Sequence, residues 1–246
     1  MRFSAKNILL PLLLLILVAP LYAQKQRTAE KAPTDSVIFR GFSAHLDIAS
    51  PLMGIVIDKG VITGEAQFDI NLRNKFFPIF EIGYATANVT AENATNYRAA
   101  APFWRIGINY NFLKTKKNNV EKLNRNYPFI GLRYGMGVVN YSMDNVPFSE
   151  GYWNENGTIK FDGKNIYTGW FEILAGVRVD LAKGFTMGWS ARVRLGLHTS
   201  LNNDSQLWFV PGYGKSGGAQ FSFNYTVGFA YRTKFERDRM KAVTAE

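Results

Sequence analysis

His198, Ser200 and Asp204 bring an imidazole, a hydroxyl and a carboxylate into one short stretch, and these are the ingredients of an acyl-transfer triad. Stretches rich in Ser and Asn also produce such triplets without catalysis, so the plainer expectation is a hydrogen-bonded histidine at the base of a loop and no enzyme. The alternation through 185–197 predicts that His198 and Ser200 turn toward the polar side of their strand. The other histidine, His45, falls on a polar face too and reads as a hydrogen-bonded interior residue. Cysteine is absent, so there is no thiolate for metal binding or nucleophilic attack; with only two histidines, far apart, no metal site and no cofactor are expected. The run GYGKSGG at 212–218 lacks the full spacing of a phosphate loop and no helical pattern follows it, which predicts a flexible outer loop instead.

A second group of reactive types is larger. Asp47, Glu65, Asp69, Glu81, Glu172 and Asp180 share the polar parity of their segments with Arg105, Arg133, Arg178, Arg192, Arg194 and Arg232. Charges closed off from water must pair or each costs several kcal/mol, so the expectation is an ion-pair network that fixes and fills an interior. The functional alternative is an ion-conducting path.

The elements that must position these residues are strands. In 220–232, Phe221, Phe223, Tyr225, Val227, Phe229 and Tyr231 alternate with polar or small residues, a period of two throughout. The same pattern recurs in seven earlier segments, including Ala66, Phe68, Ile70 and Leu72; Trp104, Ile106, Ile108, Tyr110 and Phe112; and Phe185, Met187, Trp189, Ala191 and Val193. The predicted fold is all-β, an eight-stranded antiparallel up-and-down transmembrane β-barrel over 39–232. A soluble barrel with the sheet turned the other way alternates as well. Volume decides between them: the interior of eight strands is just wide enough for side chains to fill, and the rings on the apolar face are too many to be enclosed. They must face outward, leaving glycines and matched ions at the centre.

Connections at 49–63, 87–102, 139–168 and 198–218 are long, whereas 73–75 and 182–184 are tight. Long and short ends alternate as outer loops and periplasmic turns do. The basic connector 114–126 is the exception, an insertion on the periplasmic side. Tyr141, Phe148, Tyr152, Trp153 and Phe161 in the third long loop are the candidate binding anchors, or else they pack that loop onto the rim.

The amino terminus reads as a signal peptide over 1–23. Arg2 and Lys6 precede an apolar run at 8–17, and small residues around Ala23 suit cleavage there. Residues 24–38 read as a disordered periplasmic linker and 233–246 as a charged tail. The formal net charge of +10 is not gathered into one stripe, which argues against nucleic acid and suits lipid phosphates.

On the leader, the eight alternating segments and the last strand at 221–231, the chain resembles small outer-membrane barrels of the OmpA/OmpX type. It looks closer still to uncharacterised outer-membrane β-barrel proteins grouped as domains of unknown function. The resemblance implies the cell outer membrane of a Gram-negative cell and a structural or surface-binding role. It also implies lipid and lipopolysaccharide as partners, with the barrel-assembly machinery and periplasmic chaperones during biogenesis, and a monomer. Such proteins commonly end in an aromatic, for which Tyr231 or Phe235 could serve. The His198-Thr199-Ser200 element is similar to that of outer-membrane lipid A deacylases, which makes a lipid A-modifying hydrolase one alternative. A soluble lipocalin-like periplasmic carrier is the other.

Overall fold

Backbone alternation places Arg105 and Glu81 fully out of solvent while Trp189 and Phe223 are 50% and 46% exposed, so the charged parity faces in and the oily parity faces out. The computed structural model describes residues 37–56, 60–113, 126–150, 155–182, 184–199 and 207–237. Its elements are β1 (Phe39–Asp47), α1 (Ala49–Val56), β2 (Val61–Leu72), β3 (Phe76–Thr90), β4 (Asn96–Asn111), β5 (Tyr127–Glu150), β6 (Glu155–Ala182), β7 (Phe185–Thr199), β8 (Phe209–Val210), β9 (Gly214–Lys215) and β10 (Gln220–Arg232). Eight of the strands close into a barrel in the order β1-β10-β7-β6-β5-β4-β3-β2, with β8 and β9 forming a separate small hairpin. Every pairing in the ring is antiparallel. Closure removes the free edges that an open sheet of this length would carry.

The barrel has a terminal end, where β1 begins and β10 finishes, and a loop end opposite. At the terminal end the three-residue β2–β3 connection places Arg73 and Asn74, both at φ 55, in the left-handed region, and the Lys75 amide closes the turn on the Leu72 carbonyl at 3.1 Å. The Asn74 amide donates to Asn71 Oδ1 at 2.8 Å and fixes it. The charged tail expected from 233 onward is, in its first residues, part of the fold. Glu236 is buried and accepts from Arg40 at 2.8 Å and from Asn74 at 2.9 Å, tying the segment to β1 and the β2–β3 turn.

The loop end differs from the expectation in three places. The expected loop 87–102 is mostly strand, because β3 runs to Thr90 and β4 resumes at Asn96. The expected loop 139–168 is a long hairpin, β5 continuing to Glu150 and β6 starting at Glu155. Beyond Asp144 and before Thr168 these two strands pair, among the described residues, only with each other, and register shifts near Asn140 and at 143–146 break the alternation of β5 there. The expected loop 49–63 holds α1. The leader at 1–23, most of the 24–38 linker, the connector 114–125 and the tail beyond 237 lie outside the described residues.

Candidate functional site

The interior is layered. Nearest the terminal end, Phe77, Tyr127, Phe129 and Leu174 form a buried apolar layer, with Phe77 stacked on Tyr127 at 4.9 Å between centroids. The sequence reading places rings outside only, and this layer corrects it. The rings fit because glycines on adjacent strands leave the volume: a Cβ on Gly176 would come within 2.8 Å of the Phe129 ring, and one on Gly135 would collide with the Trp170 indole. Phe129, Phe103 and Trp170 sit on the same parity as Arg133, Arg105 and Glu172, a signal that parity counting carried a few residues further would have caught.

The middle layer is charged. Arg105 lies 2.8 Å from Glu65, 3.0 Å from Glu81 and 2.7 Å from Glu172. Arg192 spans the same three carboxylates at 3.4, 3.2 and 3.1 Å. Arg133 donates through Nε to Glu81 at 3.0 Å and through Nη2 to Asn109 at 2.7 Å. Arg194 sits 3.4 Å from Glu172. These strands deliver their charges to one height because each carries the ion at an inward position of the same ladder: Glu81 pairs with Arg105 across β3–β4, and Glu172 with Arg133 and Arg194 across β6. Four guanidiniums meet three carboxylates.

Beside this cluster Asp69 accepts from Arg178 at 2.6 Å and from Ser43 at 2.7 Å, with His45 Nδ1 3.7 Å away and His45 Nε2 2.8 Å from the Thr186 hydroxyl. Arg232 pairs with Asp180 at the terminal end. Asp47 departs from the expected ion pairing. Its carboxylate accepts the amides of Ala49 at 3.2 Å and Ser50 at 3.3 Å, holding the start of α1, and takes Asn224 Nδ2 at 2.8 Å. A helix start exposes amides that need acceptors, and Asp47 is placed to supply them.

The layer toward the loop end is apolar again and contains another departure. The 212–218 run, expected as a flexible outer loop, starts inside: residues 209–213 are buried in the barrel mouth, while 215–218 are exposed. Leu207, Phe209, Val210 and Tyr213 pack with Tyr97, Phe103, Tyr141, Ile166 and Trp170 in one buried cluster. Arg105 donates to the Gly212 carbonyl at 2.9 Å, Arg194 to that of Tyr213 at 3.0 Å, and the Tyr97 hydroxyl to that of Phe209 at 2.8 Å. Gly212, at φ 82 and with its Cβ position 2.5 Å from the Phe103 ring, has no room for a side chain. The Tyr213 hydroxyl receives the Gly196 amide and donates to Gly218, and burial raises its pKa above the ordinary phenol value. These contacts join residues far apart in the chain, which no local pattern announces.

Among the described residues these three layers occupy the bore. A void among Gln67, Glu81, Asn109, Arg133 and Arg192 has room for about 10 Å³, one water at most.

Of the loop anchors, Tyr141 is on the inner face of β5, its ring 5.9 Å from that of Tyr97, while Phe161 is exposed on the β5–β6 hairpin. Phe148 belongs to β5 with its side chain outside the described residues, as are Tyr152 and Trp153. His198 is on the other face from the one expected. A register shift in β6–β7 lets Trp170 pair with Gly196 but Gly169 with His198, so Leu197 is the extra residue. The imidazole lies over Gly169 on the outer side, in the space a Cβ there would occupy. Ser200 and Asp204 lie outside the described residues.

A closed, eight-stranded antiparallel barrel with its charges buried within and an apolar outer wall is the class this chain defines. The chain belongs to the family described as a domain of unknown function, DUF6048, whose model matches residues 6–233. Among solved structures it is similar to the N-terminal β-barrel domain of Pseudomonas aeruginosa OprF, at 9% identity over 78% of this chain and 97% of that one, with a TM-score of 0.37. It is also similar to Neisserial surface protein A (NspA), at 12% identity over 79% of this chain and 96% of that one, with a TM-score of 0.35. No curated protein matches the sequence.

Proposed function

We propose that the protein is an integral barrel of the outer membrane of a Gram-negative cell, with a structural or surface-binding role and no catalytic activity. The observation that carries this reading is the reversed polarity of the wall. Phe42, Leu46, Phe68, Phe80, Ile82, Tyr84, Ile106, Ile130, Phe171, Trp189, Phe223 and Phe229 are exposed around the outside, while Glu65, Glu81, Arg105, Arg133, Glu172 and Arg192 are buried within. A soluble carrier needs the opposite arrangement and an empty centre. An exposed apolar surface on this scale would drive aggregation in water and is at rest only in lipid.

The partners are then membrane lipid and lipopolysaccharide, with chaperones and the barrel-assembly machinery during biogenesis, and the unit is a monomer. The filled interior leaves the loop end as the surface for any recognition. There the β5–β6 hairpin stands beyond the other strands, carrying exposed Ile159 and Phe161 and a Lys160 near Asp144 and Asp162.

Fractionation of cells with protease treatment of their intact surface tests the reading. The protein is expected in the outer membrane, extracted by detergent alone, with cleavage within 139–168 and none at 114–126. Release into the soluble periplasm sinks the membrane assignment; cleavage at 114–126 inverts the topology.

A further inference from the structure

The barrel wall is not complete at every height. β1 stops at Asp47, which pairs with Glu65 on one side and Thr226 on the other, while its neighbours run on. Residues 61–64 of β2 continue along β3, and 220–225 of β10 continue along β7, so a notch opens between β2 and β10 where, among the described residues, no strand joins them. The notch is within the wall and not above it, because β3 passes the partner of Val61, Ala87, and goes on to Thr90. An unpaired backbone edge is costly in lipid and has to be covered.

Helix α1 is that cover, and it is held on both sides. On the β2 side the helix backbone touches the strand, so that a Cβ on Gly54 would collide with the Val61 carbonyl oxygen. On the β10 side the Ile48 amide donates to Tyr225 at 2.9 Å, the Tyr225 amide donates to Asp47 at 3.1 Å, and Asn224 reaches both Asp47 and Ser50. The helix is ASPLMGIV, without a charge, and its outward residues Leu52, Met53, Ile55 and Val56 are 58%, 44%, 64% and 70% exposed. Exposed Leu46, Ile62, Phe221 and Phe223 lie on β1, β2 and β10, the strands that bound the notch, so the patch adjoins the outer apolar belt.

We infer that α1 and the notch it closes form a lipid-docking surface, on which acyl chains of the surrounding leaflet lie against Leu52, Met53, Ile55 and Val56. This rests on the membrane reading above. A polar loop at this height would present the gap to hydrocarbon with nothing to meet it, whereas an uncharged helix seals the two strand edges and offers lipid an irregular, side-chain-rich contact that a flat strand face does not. The occupant is lipid, since the patch has no polar rim of its own on the belt side.

The chain contains no cysteine, so single thiols report cleanly. Ile55→Cys and Val56→Cys, each carrying a fluorophore, are reconstituted as full-length protein into phosphatidylcholine vesicles with brominated acyl chains, beside Trp189→Cys on the belt and Lys160→Cys on the hairpin. Heat-modifiable gel migration verifies that each variant is folded. Quenching at 55 and 56 comparable to that at 189, with none at 160, is the expected result. Quenching at 189 without quenching at 55 or 56 overturns the docking surface and leaves the membrane reading standing; no quenching at 189 sinks both. Quenching at 55 that disappears as protein density rises, with a disulfide-linked dimer forming in the unlabelled Ile55→Cys variant, assigns the patch to a second copy and overturns lipid as its occupant.

Discussion

Glu81 is the residue on which the interior turns, since Arg105, Arg133 and Arg192 all reach its carboxylate and all four are buried. Removing one member of a buried ionic group leaves its partners uncompensated, so Glu81→Ala is expected to cost about 3–5 kcal/mol, read from urea unfolding of the refolded protein in detergent micelles. Replacing whole ion pairs with packed apolar groups is often neutral; taking one carboxylate away is not, because four guanidiniums already face three carboxylates. His198 tests the opposite claim. It faces outward over Gly169, on the side a lipid-directed hydrolase would use, yet the reading of a non-catalytic barrel predicts that His198→Ala leaves the acyl composition of membrane lipid unchanged. A mass spectrum showing loss of a deacylated lipid species in the variant would revive the hydrolase.

At the scale of elements, aromatic rings and glycines come as pairs on neighbouring strands. Gly135 on β5 and Trp170 on β6 are directly opposite in register, and the indole fills the space above the glycine while donating to Glu172 at 2.7 Å. Gly135→Val is therefore expected to destabilise the barrel by about 1–3 kcal/mol through overpacking, and a second change, Trp170→Leu, to recover part of that loss, as urea midpoints of the single and double variants will show. The wall strands were legible in the sequence because period two is a local property: Phe221 to Tyr231 need nothing but their own spacing to declare a face. What was not legible depends on partners elsewhere. The face of His198 follows from one extra residue, Leu197, visible only in the pairing with β6. The inward Gly212 and Tyr213 are held by Arg105 and Arg194, Glu236 by Arg40, and α1 is too short to display a helical period. The β5–β6 hairpin read as loop because register shifts near Asn140 and at 143–146 break the alternation of β5. Of the interior, the charges were legible as a set; the rings above and below them were not, because glycine's role as a vacancy for a neighbour's ring lies across the strand.

For the whole molecule, two apolar layers and the 207–219 segment close the bore on both sides of the charged layer, and the space left at its centre holds about one water. Planar bilayers containing the purified protein are accordingly expected to show no stable conductance steps, and regular single-channel openings would mean that the mouth segment leaves its seat. The ties that fill the bore also bear on how the molecule is made. Arg192 meets Glu81 across 111 residues of chain, Arg178 meets Asp69 across 109, and Arg40 meets Glu236 across 196. None of these three contacts joins strands consecutive in the chain, so although Glu81 and Arg192 also have nearer partners in Arg105 and Glu172, the full network forms only as the sheet curls and its seam shuts. Drying of the centre is thus a late and collective event, and a nascent chain waiting for it keeps an ionic, hydrated groove on one side and a greasy surface on the other.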